Sequence, residues 1–128
     1  METVQNFING QLSESHTGRF APVFNPATGE QSRQVVLSSA AETAEAIAVA
    51  EQAFPRWAKT PPLKRARVMF KFKALLEQNM DRLARVISNE HGKVYSDAVG
   101  EVTRGLEVVE FACGIPHLQK GEHSANVG

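Results

Sequence analysis

The sequence has few of the residues that build disulfides and metal centres. It contains one cysteine, Cys113, in 128 residues, which excludes an internal disulfide and a zinc site built from cysteines. The four histidines, His16, His91, His117 and His123, are scattered and show neither HxxxH nor HExxH spacing. We therefore predict no metal site and surface positions for all four histidines.

The sequence also lacks an excess of one charge and any long apolar run. With 14 basic and 14 acidic residues the formal net charge is zero, so no overall field attracts nucleic acid or anionic lipid. No stretch of about 18 apolar residues predicts a transmembrane helix. The first residues have neither the apolar core of a signal peptide nor the arginine-rich pattern of a transit peptide. We expect a cytoplasmic protein with no nucleic-acid or membrane partner.

Turn signals divide the first part of the chain into short strands. Asn9-Gly10 can supply the positive φ angles of a tight hairpin turn within residues 4–14. Two extended runs, at 19–24 and 31–37, flank a Pro- and Gly-containing turn at 25–29. No GxGxxG or P-loop pattern follows any of these predicted strands. The chain therefore has no predicted cofactor-binding residue.

Helix signals dominate the rest of the sequence. Ser39 and Glu42 form a capping box that opens a helix running to about Phe54. Its predicted inward stripe consists of Ala40, Thr43, Ile47, Ala50 and Phe54. Three more helices are predicted at 60–80, 81–91 and 96–116, with Gly92 as a C-cap, Ser96 as an N-cap and Pro116 as an end signal.

The elements together predict an α+β chain of about four helices preceded by short antiparallel strands. We interpret residues 1–128 as a single incomplete domain, with strands and turns over 1–38, a four-helix layer over 39–116 and a connector over 117–128. These helices carry apolar surface on more sides than they can cover for one another. We therefore expect the isolated chain to be marginally stable.

The last predicted helix has two faces that favour partners. One face is a continuous apolar stripe at helical spacing, made of Val99, Val102, Leu106, Val109 and Cys113. Because Cys113 continues this stripe near the helix C-terminus, where a thiolate is disfavoured, we predict a packed rather than a catalytic cysteine. The opposite face carries Arg104, Val108 and Phe111.

Arg104 is the candidate substrate-binding residue. Helical side chains lean toward the N-terminus, so its guanidinium should reach back over Gly100, where no side chain blocks it. A carboxylate fits such a guanidinium, because two parallel hydrogen bonds can join them. The alternative from spacing alone is an ion pair with Glu101 or Glu107 on the same helix.

Several motifs together indicate a family. The segments are FING at 7–10, FNPATGE at 24–30, RARVMFKFKALLE at 65–77, EHGKVYSDA at 90–98 and GEVTRGLEVVEFACGIPHLQKG at 100–121. In order and spacing they resemble the N-terminal portion of the aldehyde dehydrogenase superfamily. NPATGE and EHGK resemble the whole superfamily. The last segment resembles its CoA-acylating methylmalonate-semialdehyde dehydrogenase branch.

The resemblance implies a parent α/β fold, in which this chain would be the N-terminal part of a Rossmann-type NAD-binding domain. It implies NAD-dependent oxidation of malonate or methylmalonate semialdehyde, loss of CO2 and transfer of the acyl group to CoA, as in valine or inositol catabolism. It also implies a homotetramer. The residue matching Arg104 would hold the substrate carboxylate. The family's nucleophilic cysteine, its glutamate and its NAD-binding strands match later sequence, so this chain alone would be inactive and holds no catalytic residue.

Two other interpretations stay open at the level of sequence. The chain could be a truncated, non-catalytic helical binding module. It could also belong to a general aldehyde dehydrogenase without CoA transfer, because NPATGE and EHGK do not separate that class from the acylating branch. Arg104 and the PHLQKG segment at 116–121 favour the acylating branch over the general one.

Overall fold

A computed structural model describes residues 1–119 and residue 121. The described chain divides into two compact units, residues 1–59 and the residues from 60 onward, and we describe each by itself. The first unit holds five strands and one long helix, and the second holds four helices. The predicted class, short strands followed by helices, is confirmed. The arrangement of 1–128 as one incomplete domain stays a prediction, and most of the predicted connector at 117–128 lies outside the described residues.

The first unit contains the predicted hairpin. Strands β2 (Asn6–Ile8) and β3 (Gln11–Ser13) pair in antiparallel register. Asn9 and Gly10 between them have φ angles of 54° and 80°, which are the left-handed values that a two-residue turn requires. The hairpin is therefore placed where Asn-Gly predicts it.

The first unit also holds a sheet of three strands, β1 (Thr3–Val4), β4 (Phe20–Phe24) and β5 (Gln31–Val36). Their order in the sheet is β1-β5-β4. Strands β4 and β5 form the predicted antiparallel pair, and the amide N of Gly29 donates to the carbonyl of Asn25 across their turn, at 2.8 Å. Strand β1 pairs in parallel with β5. This parallel pair was not predicted, since two residues are too few to show a period.

Helix α1 (Ala40–Ala58) closes the first unit. The predicted capping box is present, with Ser39 Oγ accepting from the amide of Glu42. The helix continues through Pro55 and ends four residues beyond the predicted end at Phe54. The predicted inward stripe is wrong, because all five of its residues are exposed and Ile47 and Phe54 have exposures of 65% and 67%. The half-buried residues of the helix are instead Glu42, Ala46 and Val49.

The second unit consists of α2 (Pro62–Gln78), α3 (Met80–His91), α4 (Tyr95–Cys113) and α5 (Ile115–Leu118). Helix α4 packs against both α2 and α3. Gly92 ends α3 in the left-handed conformation, with φ of 81°, as predicted. Ser96 is not a cap, because α4 already begins at Tyr95 after Val94. Pro116 does not end α4 either. It lies in the first turn of α5, where a missing amide hydrogen costs little.

Small residues form the core of the second unit. Ala84 and Ala98 are fully buried and Val102 is 9% exposed, with Met80, Leu83, Ile87 and Val99 packed around them. Two alanines facing each other let the backbones of α3 and α4 approach closely. All five residues of the predicted apolar stripe on α4 are buried or half-buried. The inward face of this helix is therefore confirmed.

Helix α2 differs from its prediction. The sequence of this helix predicts a solvated stripe of Lys64, Arg67 and Lys71 opposite an apolar side of Val68, Met69, Phe72, Leu75 and Leu76. On that apolar side, however, Val68, Phe72 and Leu75 are each about half exposed. The residues turned toward the rest of the unit are Arg65, Ala66, Met69, Lys73 and Leu76. Within the described part of the chain, no helix is long and apolar enough to cross a membrane.

Candidate functional site

Arg104 lies in the middle of the exposed face of α4. Its neighbours on that face, Val108 and Phe111, have exposures of 68% and 67%. Nη1 of the guanidinium lies 3.6 Å from the position that a Cβ on Gly100 would occupy. The arginine therefore reaches back one turn and lies over the glycine, as its helical lean predicts. A side chain longer than alanine at position 100 would compete with the guanidinium for this space.

Arg104 is not engaged by the carboxylates that spacing offers it. Among residues 1–119 its guanidinium forms no ion pair, so the predicted alternative of a pair with Glu101 or Glu107 is not observed. Glu101 accepts instead from Lys93, with Nζ to Oε1 at 2.5 Å. The guanidinium is thus an available cation beside two exposed apolar side chains. Such a surface can bind a small molecule that carries a carboxylate and a short carbon chain.

Lys93 and two carboxylates form an ion cluster next to Arg104. Lys93 Nζ lies 2.6 Å from Asp97 Oδ2 and 2.5 Å from Glu101 Oε1, and the lysine side chain is only 13% exposed. Asp97 and Glu101 are one turn apart on α4, so one ammonium group can reach both. The hydrogen bonds to Asp97 and Glu101 raise the pKa of Lys93. Lys93 lowers the pKa of Asp97, with Arg104 among the smaller contributors.

The sequence analysis did not identify the Lys93 cluster. The sequence pattern that could have indicated it is the position of Lys93 four residues before Asp97 and eight residues before Glu101. That spacing suggests a helix face only if residue 93 is helical, whereas it lies in the loop between α3 and α4. The left-handed turn at Gly92 directs the chain from the end of α3 toward the first two turns of α4.

A second cluster ties the beginning of α4 to α3. Tyr95 Oη donates to Asp81 Oδ1 at 2.7 Å, and Arg85 Nε donates to Asp81 Oδ2 at 3.0 Å. The Arg85 guanidinium also lies over the Tyr95 ring, 5.1 Å from its centroid. The hydrogen bond from Arg85 is the main cause of the lowered pKa of Asp81. This cluster fixes the end of α4 that precedes the Arg104 turn.

The remaining candidates are Cys113 and the histidines. Cys113 is a buried free thiol, 7% exposed, in agreement with a packed residue. His16, His91 and His117 are exposed, as predicted, and His123 lies outside the described residues. No group of three or more potential metal ligands occurs within the described residues.

No phosphate-binding loop occurs in the described residues either. The chain passes from β5 into α1 through Leu37, Ser38 and Ser39, without a glycine. The described residues therefore do not fit a dinucleotide, whose pyrophosphate needs a close backbone approach at such a connection.

Glu42 is the most strongly perturbed carboxylate, and its surroundings indicate a structural role. Oε1 accepts from Ser15 Oγ at 2.9 Å and from the amide of His16 at 2.8 Å. Oε2 accepts from the amide of Ser39 at 2.6 Å. These bonds, with the Ser39 amide as the largest cause, lower the pKa of Glu42 from 4.5 to about 2. Glu42 also borders a cavity of about 210 Å³, but its oxygens are already occupied.

Comparison with known proteins agrees with the motifs of the sequence. The model of the aldehyde dehydrogenase family matches residues 12–127. The malonate-semialdehyde dehydrogenase of Pseudomonas aeruginosa is 50% identical over 128 residues, which is 100% of this chain and 26% of that protein. The malonate-semialdehyde dehydrogenase 3 of Geobacillus kaustophilus is 48% identical over 98% of this chain and 26% of its own length.

Solved structures give the same result. The methylmalonate-semialdehyde dehydrogenase of Oceanimonas doudoroffii superposes with a TM-score of 0.90 and 56% identity, over 100% of this chain and 26% of that one. A protein of Sinorhizobium meliloti 1021, assigned as a methylmalonate-semialdehyde dehydrogenase and solved with NAD, gives a TM-score of 0.90 and 48% identity with the same coverage. This chain thus spans about a quarter of the length of these relatives. It belongs to the aldehyde dehydrogenase family.

Proposed function

We propose that this chain is part of an NAD-dependent malonate- or methylmalonate-semialdehyde dehydrogenase, and that Arg104 binds the carboxylate of the substrate. The observation that carries the proposal is an exposed guanidinium that lies over Gly100 and forms no ion pair with a carboxylate in residues 1–119. It occurs in a chain whose whole length is 50% identical to a malonate-semialdehyde dehydrogenase.

The chemistry of the substrate explains why an arginine is suited to this place. A semialdehyde of this kind has a reacting aldehyde at one end and a carboxylate at the other. A guanidinium can hold the carboxylate through two parallel hydrogen bonds, and this sets the direction of the carbon chain. A neutral aldehyde of equal length offers no such group. Arg104 therefore contributes specificity, and the remainder of the enzyme contributes the reaction.

The proposal extends to the whole reaction. In it, the semialdehyde, NAD and CoA give acetyl-CoA or propionyl-CoA, NADH and CO2. NAD supplies a hydride acceptor when bound, and CoA is the co-substrate that accepts the acyl group. The sequence has no dinucleotide-binding motif, and its one cysteine is the buried Cys113. We therefore propose that this chain alone is inactive. We further propose that the complete enzyme is a cytoplasmic homotetramer.

The test compares two aldehydes in the complete enzyme that carries this segment. Arg104→Leu should lower kcat/KM for malonate semialdehyde by about 100-fold, the usual effect of removing one member of a desolvated charge pair. It should change kcat/KM for propanal, which has three carbons and no charge, by less than about threefold. Arg104→Lys keeps the charge without the two-pronged geometry and should give an intermediate value.

NADH absorbance measures both reactions, and a thioester assay in the presence of CoA identifies the acyl product. Equal losses on the two aldehydes would show that Arg104 supports the fold and does not select the substrate. A free acid as the only product would assign the enzyme to the general, non-acylating class.

A further inference from the structure

Acidic side chains on α4 could compete with a substrate carboxylate for Arg104. Its side chain extends toward the N-terminus of the helix, where Glu101 is three residues away and Asp97 is seven residues away. Side chains three residues apart on a helix are direct neighbours, so Glu101 could ordinarily pair with Arg104. Glu107 lies on the other side, away from the direction in which the guanidinium extends. Glu101 is therefore the competitor that matters for a bound carboxylate.

Glu101 is in contact with Lys93 instead. The lysine comes from the loop before α4, and its ammonium group contacts Glu101 and Asp97 at 2.5 and 2.6 Å. Its side chain is more enclosed than those of its partners, with exposures of 13% against 40% for Glu101 and 56% for Asp97. The lysine is thus held in place, and the two carboxylates are turned toward it. The same contacts offset one of the two negative charges that would repel an anionic substrate.

We propose that Lys93 is a positioning residue for substrate recognition, which pairs with Glu101 so that Glu101 forms no ion pair with Arg104 and the guanidinium stays open to a substrate carboxylate. This inference rests on the proposed function, because it assumes that Arg104 binds the substrate. Lys93 itself does not contact the substrate in this arrangement. It acts by pairing with Glu101, which would otherwise bind the same cation.

The size of the effect follows from the strength of exposed ion pairs. For an exposed ion pair of this spacing, the paired arrangement is favoured over the unpaired one by about two- to fivefold. If Glu101 were released and paired with Arg104, a substrate would have to displace it. The apparent affinity for the substrate carboxylate would then be divided by one plus that ratio, which is a loss of roughly three- to sixfold.

The test uses the complete enzyme and two substrates, malonate semialdehyde and propanal. Lys93→Met should raise KM for malonate semialdehyde roughly three- to sixfold, with kcat and the KM for propanal nearly unchanged. The double variant Lys93→Met/Glu101→Gln should recover most of the lost affinity, because the released competitor has been removed. An unchanged ratio of the two KM values in Lys93→Met, or no recovery in the double variant, would overturn the inference.

Lys73 provides a matched control. It is also partly enclosed, with 21% side-chain exposure, and its Nζ lies 2.6 Å from Glu77 and 3.8 Å from Glu110. Lys73→Met removes the same charge from a similar cluster and should leave the KM ratio unchanged. An equal change of the ratio would show that any lost lysine weakens anion binding, which contradicts a specific role for Lys93.

Two further variants keep the test decisive. Should Lys93→Met not fold, Glu101→Gln alone still gives an answer. A threefold or larger drop in KM for malonate semialdehyde would show that Glu101 already competes in the native enzyme. No drop is the result expected if Lys93 holds it. Arg104→Leu separates the two proposals: if it affects both aldehydes equally, the proposed function fails, and if it is selective while the Lys93 pattern is absent, only this inference fails.

Discussion

Gly100 offers a test that separates the stability of α4 from the placement of Arg104. A glycine inside a helix costs roughly 1 kcal/mol relative to alanine. At position 100 a Cβ would meet Arg104 Nη1 at 3.6 Å, an ordinary van der Waals contact, and at position 105 it would meet nothing within 4 Å. Neither Gly100 nor Gly105 is among the described glycines that have a positive φ angle, so alanine can adopt the backbone conformation at both positions. Gly100→Ala and Gly105→Ala should therefore stabilise the helix by about 0.5–1 kcal/mol each.

Urea unfolding of the chain, followed by far-ultraviolet circular dichroism, measures this gain. With a urea dependence of about 2 kcal/mol per molar, each substitution should raise the midpoint by roughly 0.3–0.5 M without changing the slope. Gly105→Ala is the reference, because its new methyl group contacts no neighbour. A lower midpoint for Gly100→Ala beside a higher one for Gly105→Ala would refute the geometry, since it would mean that the guanidinium leaves no room for a methyl group.

The larger substitution tests function. Leucine at position 100 extends into the space that the guanidinium occupies, so Gly100→Leu in the complete enzyme should raise KM for malonate semialdehyde while sparing propanal. Gly105→Leu is the matched control and should leave the ratio of the two KM values unchanged. An unchanged ratio in Gly100→Leu as well would show that Arg104 does not need the space over the glycine to bind its substrate.

Two predictions concern the core and the pH dependence. Ala98 has no exposed surface and packs beside Ala84. Ala98→Leu should therefore destabilise the second unit by about 1–3 kcal/mol through overpacking. Ala74→Leu, at an exposed site of α2, is the control in the same urea titration. Because the pKa of Glu42 is lowered from 4.5 to about 2, its carboxylate stabilises the fold fully above about pH 4.5, and this contribution is lost as the pH falls toward 2. Glu42→Gln should flatten the pH dependence of the urea midpoint between these values, and an unchanged slope would show that another group causes the acid sensitivity.

Local signals in the sequence were sufficient for many elements. Asn9-Gly10, the Ser39–Glu42 capping box and Gly92 each act through their own backbone or a partner three residues away, so their structures agree with prediction. The apolar stripe of α4 was equally clear, because its spacing admits only one face. The direction of Arg104 over Gly100 was also predictable, since helical geometry alone sets it.

The failures arose where the evidence lay outside the element. Helix α1 contains so many alanines that its period does not define one face, and the predicted stripe is exposed. Ser96 resembles an N-cap, but α4 begins at Tyr95 with Val94 as its N-cap, and Tyr95 contacts Asp81 of α3. The parallel pairing of β1 with β5 joins residues about thirty positions apart, a distance over which no sequence period operates.

The amino-acid sequence by itself determined the order of strands and helices, the family, the inward face of α4 and the direction of Arg104 over Gly100. These follow from spacing and from side-chain chemistry, which act over a few residues. Only the tertiary structure decided whether Arg104 was occupied. Glu101 contacts the ammonium group of Lys93, and the position of that group depends on how the loop after α3 folds against the first turns of α4. An ion pair forms only when the two charged groups lie within a few ångströms of each other. Packing between elements sets that distance, and the sequence pattern of one helix does not.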